Sequence, residues 1–240
     1  MNVIDGDSHF MEPLDLYVRY IDPAFRNRAM RIENDAASGE ATIVVDGRPL
    51  KLINATDLLA AVVAYGQKEA GQDVSNFDQY LALSPDWQNM DKRVEFLDAE
   101  GIHAQVIYPT LGLLWEGSVS DPVFADALCR AYNSWVFELC AGHADRLFPA
   151  AHISLRDADL AVRELKRVAQ LGCRTIFVAA APVNGHSFGH PDLDPIWAAV
   201  QDLDLSVGIH LTGHRHSTGR QWYRDRDPGM MFITMNLIQD

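Results

Sequence analysis

Three things are scarce in this 240-residue chain, and each scarcity closes off a class of function. There are only three cysteines, Cys129, Cys140 and Cys173; they are odd in number, lack CxxC spacing and fall in apolar periodic runs. That pattern argues against a disulfide framework or a thiolate zinc site and for core packing. Cations are few, with 20 lysines and arginines against 33 aspartates and glutamates, a formal net charge of −13. Binding of nucleic acid rests on cationic neutralisation of phosphates, so no nucleic-acid partner is expected. No stretch approaches the ~18 uncharged apolar residues of a membrane span. Residues 1–10 have neither a basic n-region nor a long apolar h-region, so the sequence reads as a soluble, cytoplasmic protein with no membrane partner.

What the chain does have is 48% apolar residues, enough for one sizeable core, and one domain over residues 1–240 is expected. Five short apolar runs read as buried parallel strands: Asn2 to Ile4, Ala104 to Tyr108, Leu147 to Ile153, Cys173 to Ala181 and Leu205 to Leu211. Helical patterns lie between them. Lys92 to Glu100 ends at Gly101, Asp121-Pro122 opens a helix that runs to Cys140, Asp157 to Leu171 ends at Gly172, and Leu193 to Leu203 completes the set. This alternation predicts βαβ units with right-handed crossovers. Residues 26–90 break the rhythm as an insertion: Met30 to Ile53 alternates polar and apolar residues around Asp46-Gly47, a hairpin signal, and one short helix is expected around Thr56 to Tyr65.

The first strand feeds into Asp5-Gly6-Asp7-Ser8-His9. Asp7 and His9 are two residues apart, so the period-2 geometry of a strand puts both side chains on one side, where two ligands could reach one ion. His210 closes the fifth strand, and in a (β/α)8 barrel the C-terminal strand ends converge on one mouth. Imidazole and carboxylate ligands together suit a divalent metal, zinc first, with manganese or iron as alternatives.

A set of motifs spread over nearly the whole chain extends this reading. They are Val3 to Pro13 (VIDGDSHFMEP), Arg93 to Asp98 (RVEFLD), Val106 to Thr110 (VIYPT), Ala131-Tyr132-Asn133, Asp145-Arg146-Leu147, His190 to Trp197 (HPDLDPIW) and Val207 to His210 (VGIH). Together they resemble the amidohydrolase-related family that includes the aminocarboxymuconate-semialdehyde and resorcylate-type decarboxylases. The resemblance implies an incomplete metal-dependent hydrolase-type (β/α)8 barrel, with about five of eight units present and strands six to eight missing. It implies His9 and His210 as metal ligands and Asp7 in place of the imidazole that many members carry. It also implies an aspartate after strand eight and an acidic or histidine position on strand six, both expected beyond residue 240.

Other candidates carry two readings each. Glu12 is either a further metal ligand or a glutamate stabilised by a helix N-terminus. Asp5 either orients a ligand imidazole or shapes a turn. His152 is either catalytic or packed against a helix. His214, Arg215, His216 and Arg220 form either the cationic pocket that holds a substrate carboxylate or a solvated basic loop. Trp115 and Trp222 wall a pocket or pack in the core. His186 and His190 are expected to serve packing or solvent. Through the resemblance, the function expected is non-oxidative decarboxylation of a small aromatic or unsaturated carboxylate by a protein that is a homo-oligomer when complete. Hydrolysis of an ester, lactone or amide is the alternative, and an inactive fragment or split-barrel half that binds a partner is a third.

Overall fold

The computed structural model describes residues 2–34, 41–50 and 88–212. A parallel sheet is built from β1 (Val3–His9), β5 (Ile102–Tyr108), β6 (Leu147–His152), β7 (Thr175–Ala179) and β8 (Ser206–His210), in that order across the sheet. Each crossover after β5 is helical: α3 (Pro122–Cys140), α4 (Ala158–Gln170) and α5 (Asp194–Asp202), while α2 (Met90–Glu100) leads into β5. All five expected strands are present. The first runs further than its apolar residues suggested, because β1 continues through the polar cluster to His9.

The helix boundaries follow from local chemistry. Asn89 caps α2 by accepting the Lys92 N–H, and Gly101 ends it at φ 70°, a left-handed value that glycine adopts without a Cβ penalty. Asp121 accepts from the amides of Val123 and Phe124 ahead of Pro122, which starts α3 where a missing N–H costs nothing. Asp157 does the same for Leu160 at the start of α4.

The insertion holds an antiparallel sheet of β2 (Arg31–Asn34), β3 (Ala41–Val45) and β4 (Arg48–Pro49). Asp46 and Gly47, at φ 53° and 69°, make the tight turn between β3 and β4. Arg28 ties this sheet to the main body, donating to Asp46 at 2.6 Å and to the α3 cap Asp121 at 2.9 Å. The short α1 (Leu16–Tyr20) packs on α3. The helix expected around Thr56 to Tyr65 lies outside the described residues.

Burial does not treat the five strands alike. Every residue of β7 is buried, whereas Ile4 on β1 and Ile209 on β8 are each 61% exposed. The expectation of uniformly buried strands fails for these two because they are the edges of the described sheet. The three cysteines are free and buried, as their apolar settings predict. Among the described residues no helix is long and apolar enough to cross a membrane.

Candidate metal centre

The strand ends of β1, β5 and β8 bring the polar residues of three distant segments together. On β1 the pairing with β5 slips between Asp5 and Ser8, a bulge that inserts one residue beside Gly6 and Asp7. Beyond it, His9 lies opposite Tyr108 and its backbone is held by Arg93, which donates to Ser8 Oγ at 2.7 Å and to the His9 carbonyl at 3.1 Å. Arg93 also reaches Gln105, and Gln105 donates to Asp5. Asp5 accepts the Asp7 N–H as well, so it shapes the backbone at the bulge and, among the described residues, orients no imidazole. Arg93 and Gln105 entered the sequence reading only as motif or strand residues; their spacing gave no sign of what they brace.

Asp7, His9 and His210 each offer one ligand atom, and these atoms lie within 4.8 Å of one another. Asp7 Oδ1 is 3.8 Å from His9 Nε2 and 3.4 Å from His210 Nε2. The other ring nitrogens are engaged: His9 Nδ1 lies 2.8 Å from the Pro109 carbonyl, and His210 Nδ1 2.8 Å from that of Leu211. A carbonyl accepts, so each Nδ1 carries a proton, and in the neutral ring the lone pair is on Nε2, the atom that faces Asp7. This is the tautomer a metal needs, fixed by backbone contacts before any ion arrives. Burial, the largest effect, and the neighbouring His210 hold the His9 pKa below its ordinary value despite the Pro109 carbonyl, which favours the neutral imidazole that ligates. The donor set therefore fits a divalent transition metal.

Tyr108 completes the described wall. Its ring is tilted against that of His210 at a centroid distance of 4.8 Å and lies 6.1 Å from that of His9. Burial and the Asp7 carboxylate push its phenol pKa up, so it keeps its proton.

Glu12 does not join this cluster. Its Oε2 accepts from the amides of Thr110 and Leu111, both at 3.0 Å, and its Oε1 from Gly112 at 2.7 Å. The reading as a carboxylate at a helix N-terminus is the one observed, but the turn belongs to Leu111–Leu113 after β5 and not to Glu12's own segment. Burial raises its pKa while the three amides oppose the rise.

His152 is fully buried, stacked on Phe177 at 4.2 Å and beside Trp115 at 4.9 Å, with Nε2 2.8 Å from Glu116. Trp115 is thus a core residue. His214, Arg215, His216, Arg220 and Trp222 lie outside the described residues. His186 and His190, expected to serve packing or solvent, come together with Asp192 in a second group of ligand-type side chains.

The profile of the amidohydrolase family Amidohydro_2 matches residues 4–237. The chain belongs to this amidohydrolase family. A solved amidohydrolase of Mycobacterium avium subsp. paratuberculosis K-10 is 28% identical, with a TM-score of 0.75 over 95% of this chain and 62% of that one. The described parallel sheet with its helices is accordingly part of an incomplete amidohydrolase-type (β/α)8 barrel. Among curated proteins, a gamma-resorcylate decarboxylase of Polaromonas sp. (strain JS666 / ATCC BAA-500) is 30% identical over 131 residues, 50% of this chain and 38% of the relative. A dihydroxybenzoic acid decarboxylase of Polaromonas sp. JS666, solved with bound manganese and the inhibitor 2-nitroresorcinol, shares the fold at 18% identity and a TM-score of 0.53, over 92% of this chain and 53% of its own. This amidohydrolase chain thus spans about two fifths of the curated relative and three fifths of the M. avium protein.

Proposed function

We propose that this chain supplies the metal-binding half of a divalent-metal-dependent, non-oxidative decarboxylase acting on a small aromatic or unsaturated carboxylate. The observation that carries the reading is the convergence of Asp7 Oδ1 with the Nε2 atoms of His9 and His210. The decarboxylases among the relatives support the reaction class. Manganese, named with one of them, replaces zinc as the first metal to test.

Asp7, His9 and His210 would hold the ion, which supplies a Lewis acid for the substrate's carboxylate or an adjacent oxygen. The chain's own residues bind and orient around it. The Pro109 and Leu211 carbonyls keep both imidazoles in the ligating tautomer. Tyr108 offers a protonated phenol beside them as a hydrogen-bond donor to a substrate oxygen. Decarboxylation breaks the bond to the carboxylate carbon and needs one proton delivered to the carbon left behind. His152 is sealed from solvent behind Phe177 and Trp115, so we assign it a bracing role and leave proton delivery to a group that reaches the substrate. His214, Arg215 and Arg220 are proposed to bind the substrate carboxylate.

The test uses the complete protein with manganese restored. Incubation with 2,6-dihydroxybenzoate and related hydroxybenzoates should release CO2 with one solvent deuteron incorporated per product. Turnover of ester, lactone or amide substrates with no CO2 from any carboxylate would replace decarboxylation by hydrolysis.

A further inference from the structure

The connection after β7 carries a second set of donors, separate from the first. Val183 and His186 exchange both backbone hydrogen bonds, 3.1 and 2.8 Å, across Asn184 and Gly185. Those two residues have φ of 52° and 78°, the pair of positive angles that a two-residue hairpin turn requires. The His190 amide then donates to the Ser187 carbonyl, and the Leu193 amide to that of His190. Trp197 Nε1 pins the Phe188 carbonyl at 2.8 Å, and Asn184 reaches the Arg156 carbonyl at 3.1 Å. The backbone bearing both histidines is therefore held on each side before any ligand is considered.

On this frame the His186 and His190 rings stack at 3.6 Å, inclined by 20°. Their Nδ1 atoms are 3.8 and 3.6 Å from Asp192 Oδ2. All three residues offer ligand atoms within 4.8 Å of one another. Both imidazoles are about 37% exposed and the carboxylate is 73% exposed, so water can complete a coordination shell.

We propose that His186, His190 and Asp192 form a second divalent transition-metal site, which clips the loop after β7 to the start of α5. Two imidazoles and one carboxylate suit Zn²⁺, Ni²⁺ or Cu²⁺ over Mg²⁺ or Ca²⁺, which prefer all-oxygen shells. His190 Nδ1 accepts the Asp192 N–H at 3.3 Å, so ligation through that atom exchanges one long hydrogen bond for a metal bond. The rings lie face to face, whereas a metal must lie in the plane of each ring along its lone pair. Ligation therefore turns one ring out of the stack. The site lies on the same rim as Asp7, His9 and His210, since the Ala180 amide donates to the His210 carbonyl, but it shares none of their side chains.

The experiment is metal counting on the untagged full chain, stripped with chelator and dialysed to equilibrium against Zn²⁺. Two ions per chain are expected. His186→Gln and His190→Asn should each leave one; asparagine retains a capping acceptor at the turn, and unchanged far-UV dichroism will show that the fold is kept. In histidine-selective NMR, Zn²⁺ should move both ring signals together as the stack opens. A second ion that survives both substitutions would overturn the site, as would a single ion lost only in His9→Ala. A single ion lost in His190→Asn and retained in His9→Ala would uphold it and remove the Asp7 centre instead, so the two readings fail separately.

Discussion

The phenol oxygen of Tyr108 lies 2.6 Å from where a β-carbon on Gly208 would stand. Gly208 is two residues before His210 on the same face of β8, so the missing side chain is the space that lets the Tyr108 ring lean on the His210 imidazole. Gly208→Ala must displace a ring held between His210 and Phe177. Overpacking of this kind costs about 1–3 kcal/mol. The expected result is a lower midpoint in urea unfolding together with weaker metal binding, and an unaltered metal affinity would separate Tyr108 from the centre.

His210→Ala removes a ligand atom while leaving the β7 to β8 backbone pairing intact. Bound metal should fall by one ion per chain, the ion held by His186, His190 and Asp192 remaining, with far-UV dichroism nearly unchanged. Full occupancy at the Asp7 centre in this variant would take His210 out of the ligand set.

Glu12 satisfies three backbone amides of the 110–112 segment from within the core. Glu12→Ala leaves those donors buried without an acceptor, at about 1–3 kcal/mol for each unmatched group before relaxation. The variant should lose about 3 kcal/mol or more of unfolding free energy, and the Thr110 to Gly112 amides should exchange with solvent first. A loss under about 1 kcal/mol would mean the turn finds other acceptors.

Asp126 on α3 is raised to about 6, first by burial and then by the nearby Glu164 carboxylate. In the unfolded chain it titrates near 3.8, so the folded state binds more protons between those values. Its contribution to stability is complete below the unfolded value and is lost as pH rises through about 6. Asp126→Asn should therefore be less sensitive than the parent to a rise from pH 4 to 6.5, as read from paired urea titrations. Parallel pH dependence in the two proteins would remove the effect.

The amino-acid sequence by itself determined where the strands and helices lie, because those signals are local. Asp121-Pro122, Asp157, Gly101 and Gly172 act on their own turns, and Asp46-Gly47 makes its hairpin wherever the rest of the chain goes. Asp7, His9 and His210 were legible for a related reason, since each marks the C-terminal end of an apolar strand and parallel strands align those ends. Tertiary structure alone decided which groups meet across long separations. Glu12 finds its amides about a hundred residues away, and nothing near it in sequence distinguishes that anchor from a metal ligand. Tyr108 and Gly208 meet through the pairing of β5, β6, β7 and β8, and the glycine's role exists only as space for another strand's side chain. His186 and His190 read as serving packing or solvent because they lie in a Gly/Pro-rich connection; the turn at Asn184-Gly185 and the cap before α5 bring their rings into contact. Local propensity fixes the direction of the chain, while the partner of a polar group is set by which elements pack together.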